Sequence, residues 1–113
     1  MSADKVKGHL DLLLLAVLSI EPGHGYAVIT QLRERTDGLL DLTEGAVYPA
    51  LHRLEDLGFL ASEWHPVNGR RRRLYRLTPA GHSALAHQYT EWQSLTRAIG
   101  NVVRSAPGRT AEA

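Results

Sequence analysis

"TEGAVYPALHRLEDLGFLASEWHPVNGRRRRLYRLTPAG", residues 43–81, is where the fold is decided. Thr43 is a good N-cap, and Glu44 is favourable in a first helical turn. Val47, Leu51, Leu54 and Leu57 then mark one helical face, and Gly58 stops it. "FLASEW" alternates weakly, with Leu60, Ser62 and Trp64 on one side. "HPVNGR" holds Pro66 and the dipeptide Asn68-Gly69, a strong hairpin signal. The return strand puts Arg71, Arg73, Tyr75 and Leu77 on one face and Arg72, Leu74 and Arg76 on the other. Only its second half can rest on a core. Thr78-Pro79 opens another helix as N-cap and first helical residue. The stretch therefore reads helix, hairpin, helix.

Working outward, "LDLLLLAVLSI" predicts a first helix over His9–Ile20. Leu10, Leu13, Leu14, Val17 and Leu18 form a stripe, and Leu12, Leu15 and Ala16 fill most of the rest. A helix apolar nearly all round needs cover on several sides, which points to a partner subunit. "EPGHG" is a breaker cluster. A second helix follows over Tyr26–Arg35, with Tyr26, Ile29 and Leu32 inward, and Gly38 suits its left-handed C-terminal position. The last helix runs from Pro79 to about Val103. Its seam is Leu85, Tyr89, Trp92, Ile99 and Val103, with Thr96 at the missing step. The fold class expected is mainly α with a small β-hairpin: a winged helix-turn-helix over residues 1–78, a C-terminal helix over 79–104 and a disordered tail over 105–113. In such a fold the third helix enters the DNA major groove and the hairpin reaches beside it.

The 113 residues carry 13 basic and 12 acidic side chains, a net charge of +1, so the overall field says little. The distribution says more: Gly69–Thr78 holds five arginines and no acid. With no cysteine there is neither a disulfide framework nor a thiolate metal site. The apolar run of the first helix contains Asp11 and is too short for a bilayer, which takes about 20 residues. Lys5 and Lys7 precede it, but it ends in Glu21-Pro22-Gly23 without a cleavage pattern. The expectation is a cytoplasmic protein with no membrane association. The six histidines lie in scattered positions, His82 and His87 being five apart, and no HExxH pattern occurs. Neither a metal nor a cofactor is expected. No nucleophile, base and orienting group assemble, so an enzyme is disfavoured.

Arginine donates from a rigid fork suited to phosphate oxygens, and four clustered arginines, Arg70 to Arg73, would make binding to a duplex strongly salt-dependent. A run of like charges is otherwise a solvated surface. Here it follows the candidate reading helix, which favours nucleic-acid contact. With the apolar face of that helix inward, Tyr48, His52 and Arg53 point the other way, beside Asp56. Gly45 lets backbones approach closely, and Thr43 caps the same end. Pro49 is the difficulty: inside a helix it removes one backbone bond and crowds the preceding turn. A ligand-binding or protein-interaction module lacking specific DNA binding is the alternative reading, and the arginine cluster argues against it.

"HGYAVI", "TEGAVYPALHRLEDLGFLASEW" and "GRRRRLYRLTPAG", in this order and spacing, resemble the PadR family of bacterial transcriptional regulators. The likeness covers about Leu10 to Leu85, and the single C-terminal helix is similar to the family's smaller subgroup. The resemblance implies a winged-helix homodimer that represses a nearby operon, and a continuous reading helix through Pro49. It also implies DNA contacts for Tyr48 and Arg70 to Arg73. A palindromic operator on double-stranded DNA is expected, with Leu10, Leu14, Leu85, Trp92, Ile99 and Val103 forming the dimer. Some small members of the family hold flat drug-like compounds between aromatic residues. Trp92, near Tyr89 and Gln93, is the matching candidate for a small aromatic effector, although an aromatic at helical spacing more often packs a core.

Overall fold

A computed structural model describes residue 6 and residues 8–108 of the chain. Its elements are α1 (Leu10–Ile20), β1 (Gly23–His24), α2 (Gly25–Arg35), α3 (Glu44–Asp56), β2 (Leu60–Val67), β3 (Arg70–Leu77) and α4 (Pro79–Ser105). This is the mainly α winged-helix architecture with a long C-terminal helix. Lys5 and Lys7, and residues 109–113 of the predicted tail, lie outside the described residues.

α1 is the hub. Leu14, Leu15, Val17 and Leu18 are buried in the chain's own core, with Val28, Ile29 and Leu32 of α2, and Val47, Ala50, Leu51 and Leu54 of α3. Burying each such aliphatic side chain contributes about 1.5–3 kcal/mol. This corrects the expectation for Leu14, which has no exposed surface and serves the core rather than a partner. Much of the all-round apolarity of α1 is thus satisfied within one chain, by elements packed on several sides of it. Leu10, Leu12 and Leu13 remain half-buried.

On α2, Ile29 and Leu32 are buried as expected, but Tyr26 is not. Gly25, Val28, Ile29 and Leu32 face inward, whereas Tyr26 is 59% exposed. The inward set has the full i, i+3, i+4, i+7 spacing of a helix face, with glycine at its first position. Leu57, the C-cap residue, likewise points outward.

Both predicted N-caps form. The Thr43 hydroxyl accepts from the Ala46 amide, and the Thr78 hydroxyl from the Gly81 amide. α3 continues through Pro49, as the resemblance implied. The carbonyl that loses its partner there belongs to Gly45, four residues earlier; Gly45 and Pro49 are both exposed, so water can reach it.

β2 and β3 pair antiparallel around Asn68-Gly69, whose φ angles of 52° and 79° are the two positive values of a type I′ turn. The two-residue "EPGHG" strand β1 was not expected. It pairs Gly23 with Tyr75 and His24 with Leu74, making β3 the centre of a three-stranded sheet among the described residues. Tyr75 is 1% exposed and roots that sheet in the core.

The first turn of α4 is bolted to the α3–β2 corner. The Thr78 hydroxyl donates to the Gly58 carbonyl at 2.7 Å, and a side chain at Gly81 would strike the Phe59 carbonyl. Beyond that, α4 projects. The radius of gyration is 16.5 Å, against about 13 Å for a compact chain of this length.

Candidate nucleic-acid interface

The register of the hairpin decides which arginines face α3. Ser62 stands opposite Tyr75, Trp64 opposite Arg73 and Pro66 opposite Arg71. Because Tyr75 turns into the core, Trp64, Arg71 and Arg73 lie on the same, inner face of the wing. Arg72 pairs with His65 and Arg70 with Val67 on the outer face.

On α3, Tyr48 is half-buried and His52 exposed. The Tyr48 ring lies against Gly25 so closely that any side chain there would collide with it. The N-terminus of α2 is thus pressed against α3. Between helix and wing opens a cleft of about 240 Å³ lined by residues that include His24, Tyr48, His52, Trp64, Arg71 and Arg73. The structure therefore brings Tyr48 and His52 together with Arg71 and Arg73 of the inner face, and Arg72 also lines the cleft. His24 adds an edge: its Nδ1 donates to the Arg73 carbonyl oxygen at 3.3 Å.

Arg53 is not in this group. Its guanidinium forks onto both carboxylate oxygens of Asp11 on α1, at 2.8 and 2.5 Å. The paired carboxylate holds the Arg53 pKa above its ordinary value. Thr43 and Gly45 are exposed at the start of α3, and a side chain at position 45 would meet only the Thr43 hydroxyl oxygen, at 3.9 Å. That end is open to a close backbone approach.

The wing arginines have unequal surroundings. The Arg73 Nε donates to Ser62 Oγ at 2.8 Å, and Ser62 donates to Glu55 Oε2 at 2.6 Å. The Arg73 guanidinium lies 3.9 Å from that same carboxylate oxygen. Arg73 and Arg71 both stand over the Trp64 ring, 4.9 and 5.1 Å from its centroid. Trp64, Gly25 and His24 were not predicted as site residues. Trp64 was within reach of sequence reasoning, since counting back from the Asn68-Gly69 turn puts it opposite Arg73.

A second region lies between α1 and α4. A groove of about 650 Å³ is lined almost entirely by apolar groups, among them Leu12, Leu13, Ala16, Leu85, Tyr89 and Trp92. Tyr89 and Trp92 stack with centroids 6.0 Å apart and planes 13° from parallel. Gln93 does not line the groove, and Leu10 packs against the core. Further along α4, Ile99 and Val103 are exposed, joined by Leu95 and Val102, which the expected seam omitted. Among the described residues, no three or more metal-ligating side chains are arranged to hold an ion, and no helix is long and apolar enough to cross a membrane.

Comparison with known proteins agrees with this geometry. Residues 14–87 match the transcriptional regulator PadR-like family. A stretch of 58 residues is 47% identical to the transcriptional regulator Rv3488 of Mycobacterium tuberculosis, covering 51% of this chain and 54% of that protein. The chain thus matches about half the length of that curated relative. A transcriptional regulator from Clostridium thermocellum superposes with a TM-score of 0.83 at 30% identity, over 88% of this chain and 98% of the other. A PadR family transcriptional regulator from Eggerthella lenta gives 0.81 at 30% identity, over 92% and 89%.

Proposed function

From the premise that the chain belongs to the PadR-like family of transcriptional regulators, whose members regulate transcription rather than catalyse reactions, we propose that it is a homodimeric repressor of a palindromic operator. The observation that carries the reading is the convergence of Tyr48 and His52 of α3 with Arg71 and Arg73 of the wing in one cleft. Helix α3 would read base edges while the wing holds the phosphate backbone. Thr43 and Gly45, at the open end of α3, let the backbone come close to the duplex.

Residues 1–78 form the reading unit in this proposal, and residues 79–104 join two copies through α4. In this proposal the dimer residues are Leu85, Trp92, Ile99 and Val103 on α4, with Leu10 on α1. Two reading helices would then enter successive major grooves about 34 Å apart. A small aromatic effector would enter the α1–α4 groove against Tyr89 and Trp92, with Gln93 nearby on the same helix. It would act by changing the spacing of the two heads, and need favour one spacing by only a few kcal/mol.

The test is selection of genomic fragments on the purified protein at physiological salt. One enriched palindrome is the expected result; weak, sequence-blind retention would count against a specific regulator. Replacing Arg70, Arg71, Arg72 and Arg73 together with alanine should abolish binding. Quenching of Trp92 fluorescence by aromatic compounds tests the effector, with Trp64 supplying a constant background.

A further inference from the structure

The four wing arginines are adjacent in sequence but not equivalent in chemistry. Arg73 is held at its Nε by Ser62, at its guanidinium by Glu55, and on its face by Trp64. Glu55 belongs to α3, Ser62 to β2 and Arg73 to β3, so this short chain of hydrogen bonds ties the reading helix to both strands of the wing. Its net charge is zero. Arg71 shares the Trp64 ring but has no acid within ion-pair distance, and neither have Arg70 and Arg72, among the described residues.

Resting on the DNA-binding reading above, we infer that Arg73 is a positioning residue that fixes the angle between wing and reading helix, while Arg70, Arg71 and Arg72 carry the phosphate contacts. An arginine neutralised by a carboxylate on its own protein releases no counterion from DNA, so it adds nothing to the salt dependence of binding. The same arginine can still govern affinity, because a wing at the wrong angle brings its other arginines out of reach. Trp64 has the complementary role. A guanidinium stacked on an aromatic face is partly immobilised, so Trp64 aims Arg71 before DNA arrives.

Charge and position have separable signatures when affinity for the selected operator is measured over a range of salt. Arg71→Ala, Arg70→Ala and Arg72→Ala should each lower the slope of log K against log salt by roughly one per protomer. Arg73→Ala should weaken binding about tenfold at every salt concentration, the loss expected of a charge-assisted hydrogen bond, and leave the slope unchanged. Ser62→Ala deletes one oxygen and no charge; it should give the same parallel displacement. Trp64→Phe should bind nearly as the parent does, whereas Trp64→Ala should not.

Glu55→Ala discriminates by sign. Removing an acid beside DNA strengthens binding on charge alone, but here it should weaken it, because Arg73 loses its anchor. Tighter binding by Glu55→Ala, or a slope that falls for Arg73→Ala as it does for Arg71→Ala, overturns the assignment. Thermal melts of each variant separate these effects from unfolding. Failure of the parent protein to bind any duplex would instead overturn the regulator reading itself, and is seen before any variant is made.

Discussion

A missing side chain matters at Gly25, because the Tyr48 ring occupies the volume a methyl group would need. Gly25→Ala should push Tyr48 off its seat and cost about 1–3 kcal/mol, the usual range for overpacking. Urea denaturation checks this. Most of the cost should vanish in a Tyr48→Ala background, because the three atoms nearest the added methyl all belong to the Tyr48 side chain. Tyr75 makes a different prediction. Its burial pushes the phenol above the ordinary tyrosine pKa, and the negative charge of Glu55 adds to the shift while Arg73 opposes it. The folded state therefore keeps its proton where the unfolded chain loses it. The stabilisation is complete below the unfolded value of about 10 and is lost as pH rises through the folded one. Thermal melts between about pH 8 and pH 11 should show that alkaline loss, and Tyr75→Phe should remove it. Asp11 and Arg53 hold α1 to α3 across 42 residues of sequence, a pairing no local pattern announces.

Elements bounded by local chemistry were legible before any coordinates. Thr43, Thr78-Pro79 and Asn68-Gly69 each satisfy or preset their own backbone within three residues, so their signals survive in sequence alone. What escaped depends on distant partners. β1 is only two residues long and exists because β3 offers it an edge. On the inward face of α2, Ile29 and Leu32 were legible, but Gly25 was not, because a glycine in a core stripe has no side chain to announce it. Of the candidate site, the elements carrying Tyr48, His52 and the wing arginines were legible; strand β1, which carries His24, was not, nor was the division of labour among the arginines, since it rests on Glu55 and Ser62 of other elements. The same distinction gives a test at the start of α4. Thr78 was legible as an N-cap, but its hydroxyl also donates to Gly58 across the corner. Thr78→Ala loses both bonds and should cost about 1–2 kcal/mol, lowering the melting midpoint of the whole winged domain rather than merely fraying a helix end.

At the scale of the molecule, the unbalanced feature is α4. Its 27 residues span about 40 Å, and the described residues leave much of the apolar surface of its distal half uncovered: Leu95 is 48% exposed, Ile99 54% and Val102 72%. A bare helix of that length is marginal in water, since helices draw most of their stability from packing. An apolar stripe this long on a free protein marks an interaction surface. A second copy is the occupant that fits the proposed function, because two joined reading heads bind as one. Leu95→Glu with Ile99→Glu should therefore convert a dimer to a monomer in sedimentation, without disturbing the core, which neither residue enters. Helicity in the far ultraviolet should fall as the distal turns of α4 lose their packing, while the winged domain still melts cooperatively. Operator affinity should drop about 100-fold or more, since the second head no longer acts at the high effective concentration that linkage provides. A variant that stays dimeric would move the dimer contact off α4. A variant that becomes monomeric yet binds as tightly would show that one head suffices, and the palindrome would lose its physical basis.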